Sequence, residues 1–375
     1  MYTVLHLLDS AGLYGAEMMI LNLCREFKNS PIQQVVGAIA PFGAEEPEII
    51  KEARSLNIST VVFRSHNRFD LRLVETIRQY LKHASITILH SHGYKSSIIG
   101  FIPARLTRVP LVITCHLWFP GNDFKLQAYH YLESLVMQRA SAVIGVSELI
   151  GTELLAKRVP RTRVHVIHNG INPKHYRVYS KASVRETLLR IGIRPNDFVI
   201  GSIGRLHHQK DFPTLFRALA KVRSKGIDVK GLIIGEGPDR KVLEALAAKL
   251  SLDDSVVLPG YRKDAFSLME RMDVFVLPSI MEGLPMVLLE AISNRRPVIT
   301  TPVGAVPSVV RDAEEALFFP VGNDTALAEC ILRLANDAGL RVRLGAAANR
   351  RFERSFSSYI MANRYTEIYS NLIFN

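Results

Sequence analysis

The chain has 375 residues, 48% of them hydrophobic and 22% charged, which is too long for one ordinary domain and too apolar for a disordered chain. Its formal net charge of +12 is shared between both halves; it suits anionic ligands or lipid headgroups, with nucleic acid the poorest fit because no nucleic-acid-binding motif is present. The three cysteines, Cys24, Cys115 and Cys330, lack metal spacing and read as buried thiols of a reducing compartment.

The N-terminus has no basic stretch ahead of its first apolar run and meets Asp9 at once, so it reads as a strand and not as a secretory signal. No apolar run reaches the ~18 residues of a membrane-spanning candidate. The expectation is a cytoplasmic protein, at most peripheral on the inner face of the cytoplasmic membrane.

Val4–Leu8 is a short apolar strand, followed by a loop holding Gly12 and Gly15 and an amphipathic helix through about Phe27. A strand, a glycine-containing loop and a helix open a doubly wound sheet. The two glycines let the backbone approach a ligand; a tight turn without a ligand is the other reading. The dinucleotide fingerprint is not met, since a further glycine is missing.

Strand and helix then alternate. Strands are expected at Val35–Ala40, Thr60–Phe63, Ile86–Leu89, Leu111–Thr114, Ala142–Val146 and Val164–Ile167, with helices at Glu46–Leu56, Asp70–Leu81 and Tyr129–Arg139. The helix from Asp70 is expected to bury Leu71, Val74, Ile77 and Leu81. Arg68, Arg72, Arg78 and Lys82 around it fit a solvated face or a contact with anionic lipid. His90 and His92 follow the fourth strand with metal-like spacing, but no third ligand stands near them in sequence, so a structural role is expected. His116 falls at the carboxyl end of the next strand, where parallel sheets place ligands. Trp118, Phe119 and Pro120 could line an acceptor pocket or dip into a membrane interface. Asn169-Gly170 is a turn signal, and Ile171–Val178 reads as the passage to a second domain.

The second half opens with a helix at Val184–Ile191 and the strand Phe198–Ile203. Gly204, Arg205 and Lys210 occupy the loop after it, Asp211 is a candidate N-cap, and a helix runs from Pro213 to Val222. A guanidinium fork and an ammonium at that loop suit a pyrophosphate. Gly231–Ile234 is a strand. Gly235-Glu-Gly237 after it imitates a dinucleotide fingerprint until Arg240 takes the third glycine's place, which weakens a hydride-transfer reading. Ser255–Leu258 is a strand, with Tyr261 and Arg262 in the loop beyond.

Asp273–Leu277 is a buried strand ended by Pro278. Pro285 suits the first turn of a new helix, so Glu282 lies in the loop before it and Glu290 about two turns inside. Helical side chains lean toward the N-terminus, which turns Glu290 back toward the loop of Glu282. Carboxylates accept hydrogen bonds from sugar hydroxyls, and a helix N-terminus suits a phosphate. Taken alone, the pair fits a capping residue and a solvated face equally well. Pro297–Thr300 is the last strand expected; the remainder is mostly helical, ending in a helix over Ser357–Leu372. No Asp-x-Asp occurs, so the usual carboxylate pair of a Mg²⁺- or Mn²⁺-diphosphate site is missing.

Together these residues resemble glycosyltransferase family 4, the retaining GT-B enzymes, over nearly the whole chain. The resemblance is carried by Gly12-Leu-Tyr-Gly-Ala-Glu17, His90-Ser-His-Gly, His116, Asn169-Gly170, Gly204-Arg205 with Lys210, Gly235-Glu-Gly237 and the Glu282-x7-Glu290 element. Two departures stand out: Asn172, where many relatives carry Asp, and a single glycine at Gly15, where many carry two. The resemblance implies an α/β fold of two Rossmann-like, doubly wound parallel-sheet domains facing a central cleft. Residues 1–175, completed by the helix 357–375, would bind the acceptor, and residues 176–356 the nucleotide sugar.

By the same resemblance, Arg205 and Lys210 would hold the diphosphate, Glu290 the ribose hydroxyls, Glu282 the transferred sugar, and His116 that sugar near its reacting face. The backbone of Gly283, Leu284, Pro285 and Met286 would contact sugar or phosphate, Tyr261 and Arg262 would frame the base, and Gly15 and Gly204 would join the donor-binding set. The donor would be a UDP- or GDP-linked hexose with no further cofactor and no metal, and the acceptor a glycan or lipid-linked intermediate of envelope or exopolysaccharide synthesis. Retention would proceed through an oxocarbenium-like transition state, the leaving phosphate oxygen taking the acceptor proton. A sugar-nucleotide 2-epimerase of the same architecture, or a non-catalytic nucleotide-sugar-binding protein, is the alternative.

Overall fold

Runs such as Val199–Ile203 and Val274–Leu277 are buried almost from end to end, without the apolar–polar alternation of a half-exposed sheet. That pattern belongs to parallel strands covered by helices on both faces. The computed structural model describes residues 2–9, 12–66, 70–116, 124–177 and 179–374. Its contacts divide the chain into two units, Met1–Ile171 with Ser357–Asn375, and Asn172–Phe356.

The first unit contains β1 (Tyr2–Asp9), β2 (Ile32–Pro41), β3 (Ser59–Ser65), β4 (Ile88–His92), β5 (Leu111–Cys115), β6 (Ala142–Gly145) and β7 (Val164–Val166). They lie in the order β3-β2-β1-β4-β5-β6-β7, and every neighbouring pair is parallel. The second unit contains β8 (Val199–Ile203), β9 (Lys230–Ile234), β10 (Val256–Val257), β11 (Val274–Leu277), β12 (Val298–Thr300) and β13 (Ala316–Phe318), in the parallel order β10-β9-β8-β11-β12-β13. In each sheet the order reverses beside the first strand, between β1 and β4 and between β8 and β11. Ligands of open parallel sheets bind outside the strand carboxyl ends at such a reversal.

The C-terminal helix (Ser358–Phe374) belongs to the first unit. Met361, Tyr365 and Tyr369 pack with Val4, Leu8, Val112 and Ile144 in one core. The chain meets this helix at Gly170, where a Cβ would stand 2.5 Å from the Ser357 carbonyl oxygen; the Ser358 N–H donates to the Ile171 carbonyl at 2.9 Å. No described helix is long and apolar enough to cross a membrane.

Four expectations shift, the first being that β13 (Ala316–Phe318) pairs with β12 beyond the strand expected to be the last. The helix from Asp70 begins at Leu71, whose N-cap Asp70 accepts from the Arg72 N–H, and its buried face is Leu73, Ile77 and Leu81. Leu71 is 80% exposed, because the i, i+4, i+8 row that reaches the core starts two residues later. Strand β4 continues through His90, Ser91 and His92, all buried, because polar partners on neighbouring elements satisfy them. Pro285 is the extended N-cap of the helix Met286–Ser293, not a residue of its first turn, so Glu290 is the fifth helical residue and sits just over one turn in. Arg68 and the Trp118-Phe119-Pro120 segment lie outside the described residues.

Candidate active site

The second unit gathers its chemistry at the β8/β11 reversal. After β8, Gly204 and Arg205 lead into a 3-10 turn, His208–Lys210, and then Asp211 at φ 45°. A left-handed residue other than glycine is uncommon; here the Asp211 carboxylate accepts from the Thr214 hydroxyl at 2.7 Å, in the first turn of the helix Phe212–Ser224. The stem of Lys210 runs over Gly204, where a Cβ would lie 3.3 Å from the lysine Cε. Its Nζ donates to Glu282 Oε1 at 2.5 Å.

Glu282 is 7% exposed, and the same oxygen accepts from the Ser279 hydroxyl at 2.6 Å. The loop carrying it is tied to the loops after β8 and β12. The Ile280 N–H donates to the Gln209 carbonyl and the Gln209 amide to the Met281 carbonyl, both at 2.8 Å. The Thr301 hydroxyl donates to the Ser279 carbonyl at 2.5 Å, and the Ala305 N–H to the Gly283 carbonyl at 3.0 Å. Gly304, at φ 53°, lies directly against the Glu282 carbonyl oxygen, where no Cβ fits. The loops after β8, β11 and β12 thus form one laced edge that fixes an ammonium beside a carboxylate. Such a buried charge pair is held by geometry and added hydrogen bonds, and removing one partner leaves the other uncompensated.

The helix Met286–Ser293 has no acidic side chain in its first turn. Its N-terminal N–H groups and dipole therefore keep their preference for an anion. Leu284, Pro285 and Met286 are buried, whereas Gly283 is half-buried. Glu290 Oε1 accepts from the Tyr176 hydroxyl at 2.8 Å, and the Tyr176 ring stacks on Phe266 with centroids 4.1 Å apart. Burial pushes the Glu290 carboxyl up to about 7, against the opposing pull of the Tyr176 hydroxyl. Nothing in the sequence singled out Tyr176, which lies far from Glu290 along the chain.

The other second-unit candidates are placed differently. Arg205 is exposed on the loop. Tyr261 is 68% exposed. Arg262 is committed to Asp264 by two hydrogen bonds, at 2.8 and 2.7 Å, and holds that carboxyl below its usual range. Gly235 and Gly237 serve loop packing: a Cβ on either would collide with the Gly204 or Leu206 carbonyl oxygen, while the Leu206 N–H donates to the Glu236 carbonyl at 2.9 Å. Asn172 accepts from the Lys174 N–H at 3.1 Å and so caps the short turn Pro173–His175, a role that Asp performs equally.

In the first unit, Gly15 opens the helix Gly15–Glu26, and the Glu17 carboxylate accepts from the Tyr14 N–H at 3.1 Å. His116 follows β5 directly, and burial pushes its imidazole down to about 4, so the ring is neutral at physiological pH. The third imidazole that sequence spacing did not supply comes from β1: His6, His90 and His92 bring ring nitrogens within 4.8 Å of one another. The parallel pairing of His6 with His90 puts them side by side.

The family described as Glycosyltransferase Family 4 matches residues 14–175, and that described as Glycosyl transferases group 1 matches residues 185–351. The chain is 30% identical to EpsF of Bacillus subtilis (strain 168), named as a glycosyltransferase, over 79% of this chain and 78% of that protein. It is 29% identical to the capsular polysaccharide biosynthesis glycosyltransferase CapM of Staphylococcus aureus, over 76% of this chain and 77% of that protein. Among solved structures, Anabaena Alr3699/HepE in complex with UDP-glucose superposes with a TM-score of 0.86 at 22% identity, covering 99% of this chain and 100% of that one.

Proposed function

The chain belongs to the glycosyl transferases of group 1, family 4, with the GT-B fold, and from that premise we propose that it moves a hexosyl group from a nucleotide-diphosphate sugar to a glycan or lipid-linked acceptor, with retention at the anomeric carbon and without a metal. The observation that carries this reading is the Lys210–Glu282 pair at the β8/β11 reversal, whose carboxylate lies in the loop that leads into the helix carrying Glu290. The HepE complex with UDP-glucose supports a UDP-linked donor, and the name of CapM supports a place in polysaccharide biosynthesis.

On this reading the donor takes over internal contacts of the site's side chains. The diphosphate takes Lys210 from Glu282 and is joined by Arg205, while the first-turn N–H groups around Met286 face its charge. Glu282, released from the ammonium, accepts hydroxyls of the transferred sugar, with Gly283 offering its backbone. Glu290 accepts the ribose hydroxyls in place of the Tyr176 hydroxyl, and Tyr261 and Arg262 border the base. As the glycosidic bond to the diphosphate stretches, negative charge grows on the leaving oxygen, where Lys210 and Arg205 stabilise it in place of a metal. That oxygen then takes the acceptor proton from the face it leaves, so no protein nucleophile is needed; orientation and electrostatics carry the step. In the first unit, neutral His116 contributes a contact to a substrate hydroxyl.

A transfer assay tests the whole. Labelled UDP- and GDP-hexoses are incubated with lipid-linked glycan acceptors and EDTA, and the anomeric configuration of the product is read by NMR. Transfer with the donor's configuration is the expected result. An inverted product overturns retention, and transfer only when a divalent metal is restored overturns metal independence.

A further inference from the structure

The first unit holds a row of imidazoles of which the transfer reading uses only the end. Strand pairing puts His6 beside His90, and Gln34 beside Val4, two residues before His6. His92 pairs with Thr114, two residues before His116. Side chains two apart on a strand share a face, so all five lie on one side of the sheet.

Their hydrogen bonds fix where the protons are. Gln34 sends its amide nitrogen to the Ile32 carbonyl at 3.4 Å and sets its oxygen 2.6 Å from His6 Nε2. An amide oxygen only accepts, so His6 carries its proton on Nε2. In a neutral ring Nδ1 is then bare, and it accepts from His92 Nε2 at 3.0 Å. His92 Nδ1 is bare in turn, and it accepts from His116 Nε2 at 3.3 Å. The row ends at His116 Nδ1, which is buried and has no hydrogen-bond partner among the described residues. Burial keeps the rings neutral: His6 is pushed down to about 4, and His92 well below its usual range.

We propose that Gln34, His6 and His92 are positioning residues for His116: they hold it as the Nε2–H tautomer, so that its bare Nδ1 is offered as a hydrogen-bond acceptor for a substrate hydroxyl. This rests on the reading of His116 as a substrate contact. A histidine free to choose would present an N–H donor as readily as a lone pair. The row removes that choice from a distance, through a glutamine on β2, three strands away from β5 in the sheet order. A metal centre is the rival account of the same cluster. It fits less well, because His90 has both nitrogens occupied, by the Tyr369 hydroxyl at 2.7 Å and by Thr114 at 2.8 Å, and because His6 and His92 already bind each other.

Side-chain ¹⁵N NMR of the intact histidine-labelled protein at neutral pH decides it, with His116 assigned through His116→Asn. The expected spectrum has a protonated Nε2 and a bare Nδ1 for His116. A proton on Nδ1 overturns the proposal, as does stoichiometric zinc binding that shifts His6, His90 and His92 together. In Gln34→Met the ordering acceptor is gone, and His116 is expected to show both tautomers; a spectrum unchanged from the parent overturns the role of Gln34. Should that variant not fold, the parent spectrum still decides. These spectra need no substrate, so a failed transfer assay counts against the transfer reading alone, and a wrong tautomer against the row alone.

Discussion

The proposed transfer asks the Lys210 ammonium to leave the Glu282 carboxylate for the donor's diphosphate. Their 2.5 Å pair is buried at 18% and 8% side-chain exposure, which few ion pairs reach without added support, here the Ser279 hydroxyl. If Lys210 stabilises the departing diphosphate, Lys210→Ala lowers turnover by about 10²-fold or more, as loss of one electrostatic donor does. Steady-state kinetics check this, and near-normal turnover removes Lys210 from the site. Glu290 makes a prediction of a different kind. Its carboxyl titrates at about 7, and only the ionised form accepts two hydroxyl protons at once. Nucleotide affinity is therefore expected to rise with pH through about 7 in the parent and to stay flat in Glu290→Gln; a parallel rise in the variant, measured by calorimetry, contradicts the assignment. The placement of Lys210 and Glu282 in loops beyond strand carboxyl ends, and of Glu290 inside the helix that follows, was legible in the sequence from strand–loop–helix grammar. Tyr176, Gln34 and His6 were not, since their roles come from partners that only the folded register supplies.

At the level of elements, the parallel strands were legible because burial on both faces leaves a continuous apolar run. The sequence pattern ends strand β4 at Leu89, because His90, Ser91 and His92 look like a loop until their partners are in place. The helix Tyr94–Thr107 has no clear sequence signature, because Pro103 and Gly100 interrupt its pattern. The C-terminal helix supplies what β4 needs. Tyr369 donates or accepts at His90 Nδ1 and Tyr365 meets Thr114 at 3.1 Å, so two tyrosines satisfy polar groups in the middle of a core. Tyr369→Phe keeps the packing but leaves a buried imidazole nitrogen unpaired, which costs about 1–3 kcal/mol. Denaturant unfolding measures it; a variant as stable as the parent would mean that the hydrogen bond carries no net stability.

For the whole molecule, the two units are expected to answer pH in opposite directions. His6 and His116 titrate at about 4 in the folded chain against 6.5 when unfolded. Below pH 6.5 the unfolded state binds protons that the folded first unit refuses, so its stability is full above 6.5 and falls as pH drops toward 4, by up to about 3 kcal/mol per group. Glu290 runs the other way: its folded value is about 7 against 4.5, so the stability it confers on the second unit is full below 4.5 and is lost as pH rises through about 7. Hydrogen exchange, corrected for its intrinsic pH dependence, separates the units. Between pH 5 and 7 protection is expected to rise in β4 and to fall in the helix Met286–Ser293; a common direction contradicts this assignment of the buried groups. The alternation of strands and helices made a two-unit α/β chain legible in the sequence. The return of the last helix to the first sheet could be expected only by family resemblance, because its partners, His90 and Thr114, lie hundreds of residues upstream.

The most direct test is thermal unfolding of the intact protein with UDP, GDP, ADP and their hexoses, EDTA present throughout. Saturating ligand at a hundredfold over its dissociation constant adds about 2.7 kcal/mol, a rise of a few degrees on the order expected for a chain this long. The account predicts such a shift for one nucleotide family, reduced in Lys210→Ala and in Glu290→Gln. No shift with any of them, or a full shift retained in both variants, would contradict a nucleotide-sugar site at the β8/β11 reversal.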